Sequence, residues 1–68
     1  MYSLNINKLN GKIVEKGMTK ESLAYAIGVD RSTFFRRLKN DKLLLSDVHK
    51  ISKALGLTTE EAMSIFMQ

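Results

Sequence analysis

The sequence predicts an all-α fold of five short helices around one hydrophobic core. Apolar residues make up 44% of the 68 residues, enough for a packed core and too many for a disordered chain. They recur at helical spacing, without the sustained alternation or Asn-Gly turns that indicate strands. The chain has no proline, and Gly17, Gly28 and Gly56 separate its apolar stripes. Residues 1–68 are therefore predicted to form a single domain.

The first helix is predicted over residues 7–16. Gly17 follows it, and glycine commonly ends a helix. Its apolar stripe consists of Leu9, Ile13 and Val14. The lysines of this helix recur every four residues, and we expect them to form a solvated face: Lys8, Lys12 and Lys16. Tyr2, ahead of the helix, is expected to cover the core.

The second and third helices have clear start signals. Thr19 and Asp30 are favourable N-cap residues. Each follows an apolar residue that can pack against one in the coming helix, the arrangement called a hydrophobic staple. Gly28 lies between the helices, where a sharp turn favours a residue without a side chain. Two short helices joined in this way predict a helix-turn-helix. The predicted inward residues are Leu23, Ala26 and Ile27, then Phe34 and Leu38.

Two more helices are predicted after a loop over residues 40–45. Ser46 is expected to cap the fourth helix, and Thr58 with Glu61 has the spacing of a capping box for the fifth. The inward residues are predicted to be Val48, Ile51, Ala54 and Leu55, then Ala62, Ile65 and Phe66. Met63 and Met67 leave most of the last helix apolar, which indicates either deep burial or a partner surface.

The charge of the chain suggests a polyanionic partner. Eleven Lys and Arg against seven Asp and Glu give a net charge of +4. The segment 31–42 holds five of these basic residues and only one acidic residue, so it accounts for the whole excess. A merely solvated basic face is the alternative interpretation.

Other features exclude several functions. The chain has no cysteine, and His49 is its only histidine, which we expect at the surface. A thiolate zinc site, a cysteine nucleophile and a multi-histidine metal site are therefore not expected, and an enzyme is the least favoured class. We expect no cofactor, metal or small-molecule ligand. Without a long apolar run or a signal-peptide pattern, we expect a cytoplasmic protein with no membrane partner.

Residues 18–57 resemble the Cro-like and repressor-like helix-turn-helix domains of bacteriophages and bacteria. The resemblance rests on Met-Thr-Lys-Glu-Ser-Leu-Ala-Tyr-Ala-Ile-Gly-Val-Asp-Arg-Ser-Thr-Phe (residues 18–34) and Ile-Ser-Lys-Ala-Leu-Gly-Leu (residues 51–57). It implies a lambda-repressor-like fold, with Ala24 at the close crossing of the two helices. Arg37 stands where many members carry an aliphatic residue, so the core contact is expected at Leu38.

In this motif the start of the third helix enters the major groove of DNA. With Phe34 and Leu38 inward, five residues are predicted to read bases: Arg31, Ser32, Thr33, Phe35 and Arg36. The arginines can each donate two hydrogen bonds to guanine O6 and N7. Phe35 either packs on thymine methyl groups or is buried in the core.

Residues beside this helix are predicted to contact phosphates: Lys20, Lys39, Asn40 and Lys42. Lys20 begins the second helix, where free N–H groups and the helix dipole attract an anion. The resemblance implies that the residue at this position contacts the backbone or orients the recognition helix. Tyr25 is expected to pack at the edge between the first two helices, with a phosphate contact as the alternative.

The expected function is a small Cro-type repressor, from a phage or a chromosome, that binds double-stranded DNA specifically. Recognition by this motif normally uses two half-sites, so we expect a homodimer, weak alone and strengthened on a near-palindromic operator. Its interface is predicted at Met63, Phe66 and Met67. The alternatives are an antitoxin or antirepressor module that binds protein, and an excisionase-like protein that bends DNA.

Overall fold

The computed structural model describes residues 3–67, and this part of the chain contains five α-helices and no strand. In chain order they are α1 (Ile6–Glu15), α2 (Lys20–Ile27), α3 (Arg31–Lys39), α4 (Leu45–Leu55) and α5 (Thr59–Phe66). The predicted all-α class and helix order are confirmed. Tyr2, expected to cover the core, lies outside the described residues.

Side-chain hydrogen bonds cap the starts of α1, α2, α3 and α5. Asn5 accepts a hydrogen bond from the Lys8 N–H (3.1 Å), so α1 begins one residue before the predicted start. Thr19 caps α2 as predicted, because its hydroxyl accepts the Ser22 N–H at 3.0 Å. The capping box of α5 is also confirmed: the Thr58 N–H donates to Glu61 at 2.9 Å, and the Glu61 N–H donates to the Thr58 hydroxyl at 3.1 Å.

The predicted cap of α4 is wrong. Ser46 is exposed inside the helix, and Leu44 occupies the N-cap position. A leucine side chain cannot accept a hydrogen bond, so the cap comes from further along the helix. The carboxylate of Asp47, three residues on, accepts the Leu44 N–H at 3.0 Å.

Left-handed residues end the two helices of the motif. Gly28 has φ +74°, and the next N–H, of Val29, donates to Ala24 O at 3.0 Å, which closes the end of α2. Asp41 has φ +53° after α3, where the Lys42 N–H donates to Arg37 O at 2.8 Å. The chain therefore turns sharply before and after α3, and these two turns set the length of the helix.

The core lies where the five helices meet. α2 packs on α4, and α1 packs on α5, to which the Asn5 N–H also donates at Ile65 O (2.7 Å). The fully enclosed large side chains come from all five helices: Leu9, Leu23, Phe34, Ile51, Leu55 and Ile65. Met18 and Val29, the predicted staple residues, are partly buried against this core.

Three predicted core residues are instead exposed: Val14, Ala26 and Ala54. In each helix the residues four apart already fill the narrow buried stripe, and these side chains lie about 100° away from it. In α2 the buried small residue is Ala24, at the crossing implied by the resemblance. Tyr25 is also exposed, so the expectation that it packs between α1 and α2 is wrong.

An ion cluster joins α1 to α5. The Lys12 ammonium lies 2.9 Å from the Glu15 carboxylate and also pairs with Glu61. The bond from Lys12, helped by the Thr58 N–H, lowers the pKa of Glu61 to about 2. The same contacts, first with Glu61 and then with Glu15, raise the pKa of Lys12. Lys12 is thus a structural residue, whereas the sequence predicted only a solvated lysine face.

Candidate nucleic-acid interface

The orientation of α3 is fixed by its cap and by two buried residues. The Asp30 carboxylate accepts the N–H groups of Ser32 (3.0 Å) and Thr33 (3.4 Å), which confirms the predicted N-cap. Phe34 and Leu38, one turn apart, are both buried. The opposite side of α3 therefore faces away from the core, with Arg36 directly across from the buried stripe.

The five residues predicted to read bases divide into two groups. Three are exposed: Arg31, Ser32 and Arg36. Thr33 and Phe35 are half-buried, because they flank the stripe on either side. Phe35 packs against the core. The centres of the Phe34 and Phe35 rings lie 6.5 Å apart, and the two ring planes are tilted by 55°. Phe35 is thus packed against the core but remains partly exposed to solvent.

Arg31 has two neighbours within the protein. Its guanidinium carbon lies 5.1 Å from the centre of the Phe35 ring, a distance typical of a cation–π contact. Its Nη2 atom lies 3.8 Å from Oε2 of Glu21, in the first turn of α2. The exposed side chain of Arg31 therefore lies close to both α2 and the next turn of its own helix.

The residues predicted to contact phosphates border α3 on more than one side. Lys20 begins α2 and Lys39 ends α3, and both line one shallow groove beside Phe35. Asn40, the C-cap of α3, and Lys42 are exposed in the turn that follows. Cations thus flank the half-buried ring of Phe35 and the end of α3.

A partly buried ion pair, not predicted from the sequence, ties α3 to α4. Arg37 Nη1 donates to both carboxylate oxygens of Asp47, at 3.1 and 2.9 Å. Asp47 is only 2% exposed and also accepts the Leu44 N–H, so its charge is compensated on two sides. Arg37 therefore has a positioning role. One sequence feature could have indicated this ion pair: Asp47 lies in the first turn of α4, whose N-cap residue, Leu44, is apolar.

The three residues predicted at a dimer interface are not equally available. Met63 and Met67 are 52% and 44% exposed, but Phe66 is only 8% exposed and belongs to the core. The burial of Phe66 confirms its predicted inward position beside Ile65 and leaves little of its ring for a dimer contact. Shallow grooves lined by Val48, Phe66 and Met67 lie beside the two exposed methionines.

Other sites are not evident in the described part of the chain. Between residues 3 and 67, no three His, Asp or Glu side chains are placed to hold a metal ion. None of the helices in this range is both long and apolar enough to cross a bilayer. His49 is exposed on α4, as expected.

The short helix, the glycine turn and the capped basic helix define a helix-turn-helix DNA-binding domain. Comparison with protein-family models agrees: the family described as the Cro/C1-type HTH DNA-binding domain matches residues 8–66. The chain belongs to this family, and its fold is lambda-repressor-like. Comparisons with curated proteins and with solved structures find no significant match.

Proposed function

We propose that this protein is a transcriptional repressor of the Cro type that binds a near-palindromic operator as a dimer. One observation supports this proposal most. α3 begins at an acid-capped turn, buries Phe34 and Leu38, and leaves Arg31, Ser32 and Arg36 exposed. Such a helix has the size and the donors to read a major groove about 12 Å wide.

The five predicted residues have distinct roles in base reading. Arg31 and Arg36 donate to guanine O6 and N7, and each contact discriminates by about 1–3 kcal/mol. Ser32 and Thr33 offer hydroxyls that are weakly specific. Phe35 uses the open part of its ring on thymine methyl groups, while the remainder stays against the core.

The cations around α3 position the protein on the DNA backbone. Lys20 and Lys39 meet phosphates beside the groove that they share with Phe35, and Asn40 and Lys42 meet phosphates after α3. If Lys20, Lys39 and Lys42 act in both subunits, a dimer neutralises about six phosphates.

The dimer forms through the exposed part of α5. Met63 and Met67 are the exposed apolar side chains available there, and both line a shallow groove together with the buried Phe66. The contact is small, so dimerisation is weak without DNA and is strengthened when one duplex holds both subunits. A dimer that covers the operator excludes RNA polymerase, which is the proposed mode of repression.

Selection from a random duplex library tests this function directly. The expected result is a pair of inverted half-sites centred about one helical turn, ~34 Å, apart. A plot of the logarithm of the affinity for the selected site against the logarithm of the salt concentration should have a slope of about −5. A slope close to zero would reject nucleic acid as the partner.

A gel-shift assay with circularly permuted sites distinguishes a repressor from a DNA-bending protein.

A further inference from the structure

The contact between Glu21 and Arg31 places a carboxylate beside a residue proposed to read DNA. Glu21 Oε2 lies 3.8 Å from the Arg31 guanidinium, and both side chains are more than half exposed. The guanidinium carbon also lies 5.1 Å from the centre of the Phe35 ring. An acidic residue at a DNA-binding surface opposes phosphates, so its position requires an explanation.

We propose that Glu21 is a specificity-determining residue, which positions Arg31 for guanine and weakens binding to DNA of other sequence. This inference rests on the proposed function. Because Glu21 acts through Arg31, it is a positioning residue and makes no base contact of its own in this proposal.

The donor capacity of arginine permits both contacts at once. A guanidinium has five N–H donors, and a guanine occupies only two of them. At a cognate site the guanidinium keeps its ion-pair contact with Glu21 and its contact with the Phe35 ring. The carboxylate is then compensated, and the arginine reaches the base without having to be ordered first.

At a non-cognate site the same carboxylate opposes binding. No guanine receives Arg31 there, and the affinity comes almost entirely from cations that meet phosphates. Glu21 competes with the phosphates for the guanidinium and adds its own repulsion. It therefore lowers the non-specific affinity more than the specific affinity.

Glu21→Gln is the direct test, since it keeps the length of the side chain and removes the charge. Two fluorescent duplexes serve as probes: the best sequence selected by the wild type, and a mixed-sequence duplex of equal length. We expect the affinity for the mixed duplex to rise by about 3- to 10-fold, and that for the selected duplex by less than about 2-fold. Glu60→Gln is the matched control, because it removes the same charge from the first turn of α5.

A double-mutant cycle with Arg31→Lys establishes whether Glu21 acts through Arg31. Lysine keeps the charge but lacks the planar fork, so Glu21→Gln should no longer change the ratio of the two affinities in that background. An equal rise on both duplexes, or a change matched by Glu60→Gln, would overturn the inference and leave the DNA-binding proposal intact. If the wild type binds neither duplex with a salt-dependent affinity, both proposals fail.

Discussion

At the scale of the residue, the two glycines of the first and second helices have opposite effects on stability. Gly28 adopts φ +74°, which costs a residue with a Cβ about 1–2 kcal/mol. Gly11 lies within α1, exposed, and a Cβ there would meet no atom within 4 Å. Of these two glycines, Gly28 is therefore the one whose backbone conformation disfavours a side chain.

We expect Gly28→Ala to lower the free energy of unfolding by about 1–2 kcal/mol and Gly11→Ala to raise it by about 0.5–1 kcal/mol. Thermal unfolding followed by circular dichroism should show the two midpoint temperatures shifted in opposite directions, by about 4–8 °C per kcal/mol for a domain of this size. Each variant is the control for the other. A loss of stability in both would contradict the account of Gly11.

Individual side chains also show how far the sequence alone predicts the site. The stripe of α3 is clear from its spacing, because Phe34 and Leu38 are large, apolar and one turn apart. Phe35 could not be assigned, since an adjacent aromatic fits either side of a short helix. Its half-buried position depends on the groove between Lys20 and Lys39, and this groove exists only after the helices have packed.

Base reading is tested one residue at a time. Arg36→Ala should weaken binding to the selected operator by about 1–3 kcal/mol and relax the preference at one base pair, while non-specific binding falls less. Binding measured on a set of single-base variants of the operator gives both quantities. Lys53→Ala, on the exposed side of α4, removes an equal charge and should leave the preference unchanged. Retention of full specificity by Arg36→Ala would reject the proposed orientation of α3 on DNA.

At the scale of the element, α3 is held at its far end by the ion pair of Arg37 with Asp47. The resemblance to the Cro-like family marked Arg37 as a departure, but it did not indicate where the charge of Arg37 would go. The partner, Asp47, lies ten residues away on another helix, where it also accepts the Leu44 N–H. Such a contact joins two elements and leaves no periodic signal in either of them.

We expect Arg37→Leu to destabilise the fold by up to about 3 kcal/mol, because it leaves a buried carboxylate without its cation. Adding Asp47→Asn should recover part of this loss, since asparagine removes the charge but still accepts the Leu44 N–H. Urea unfolding of the single and double variants, made in the Gly11→Ala background to keep them folded, measures the coupling. Additive losses would show that the two residues act independently.

The contact between α1 and α5 should make stability depend on pH. The pKa of Glu61 is lowered to about 2, so its ionised form stabilises the folded state fully above the ordinary value of 4.5. This contribution is lost as the pH falls from about 4.5 towards about 2. The pKa of Lys12 is raised, so its contribution is lost only in strong alkali, above its ordinary value of 10.5.

Glu61→Gln tests the pH dependence, because glutamine can still complete the capping box with Thr58 but cannot pair with Lys12. The wild type should be the more stable of the two at pH 6, and the difference should shrink steadily between pH 4.5 and 2. Urea midpoints at several pH values measure it. A difference that stays constant over this range would show that the Lys12 contact does not stabilise the fold.

At the scale of the whole molecule, the basic surface and the exposed methionines belong to different elements. The cations proposed to meet DNA lie on α2, α3 and the turn after α3, whereas Met63 and Met67 lie at the C-terminal end. The helix count and the order of the helices follow from local signals. The part of α5 that is exposed for a partner does not follow from them, because the burial of Phe66 and the exposure of Met63 depend on how α5 packs against α1 and α4.

We expect the double variant Met63→Lys/Met67→Lys to fold and to remain monomeric. Both side chains are about half exposed, so lysine can keep its charge in water, while two added charges at a self-complementary contact repel. Affinity for a full operator should fall on the order of 10²-fold as the second subunit loses its linkage, and affinity for a half-site should change little. Ultracentrifugation, circular dichroism and gel shift measure association, folding and binding.

Val14→Lys is the matched control, because it places a lysine on an exposed apolar position of α1. It should leave cooperative binding to the full operator intact. Unfolding of the double variant would assign the methionines to the core, and unchanged cooperativity would place the dimer contact elsewhere. Since a lysine also strengthens non-specific attraction to DNA, a loss of full-site affinity in the double variant runs against its added charge. Such a loss therefore reports on association between subunits, and this separates the dimer contact from a general electrostatic effect.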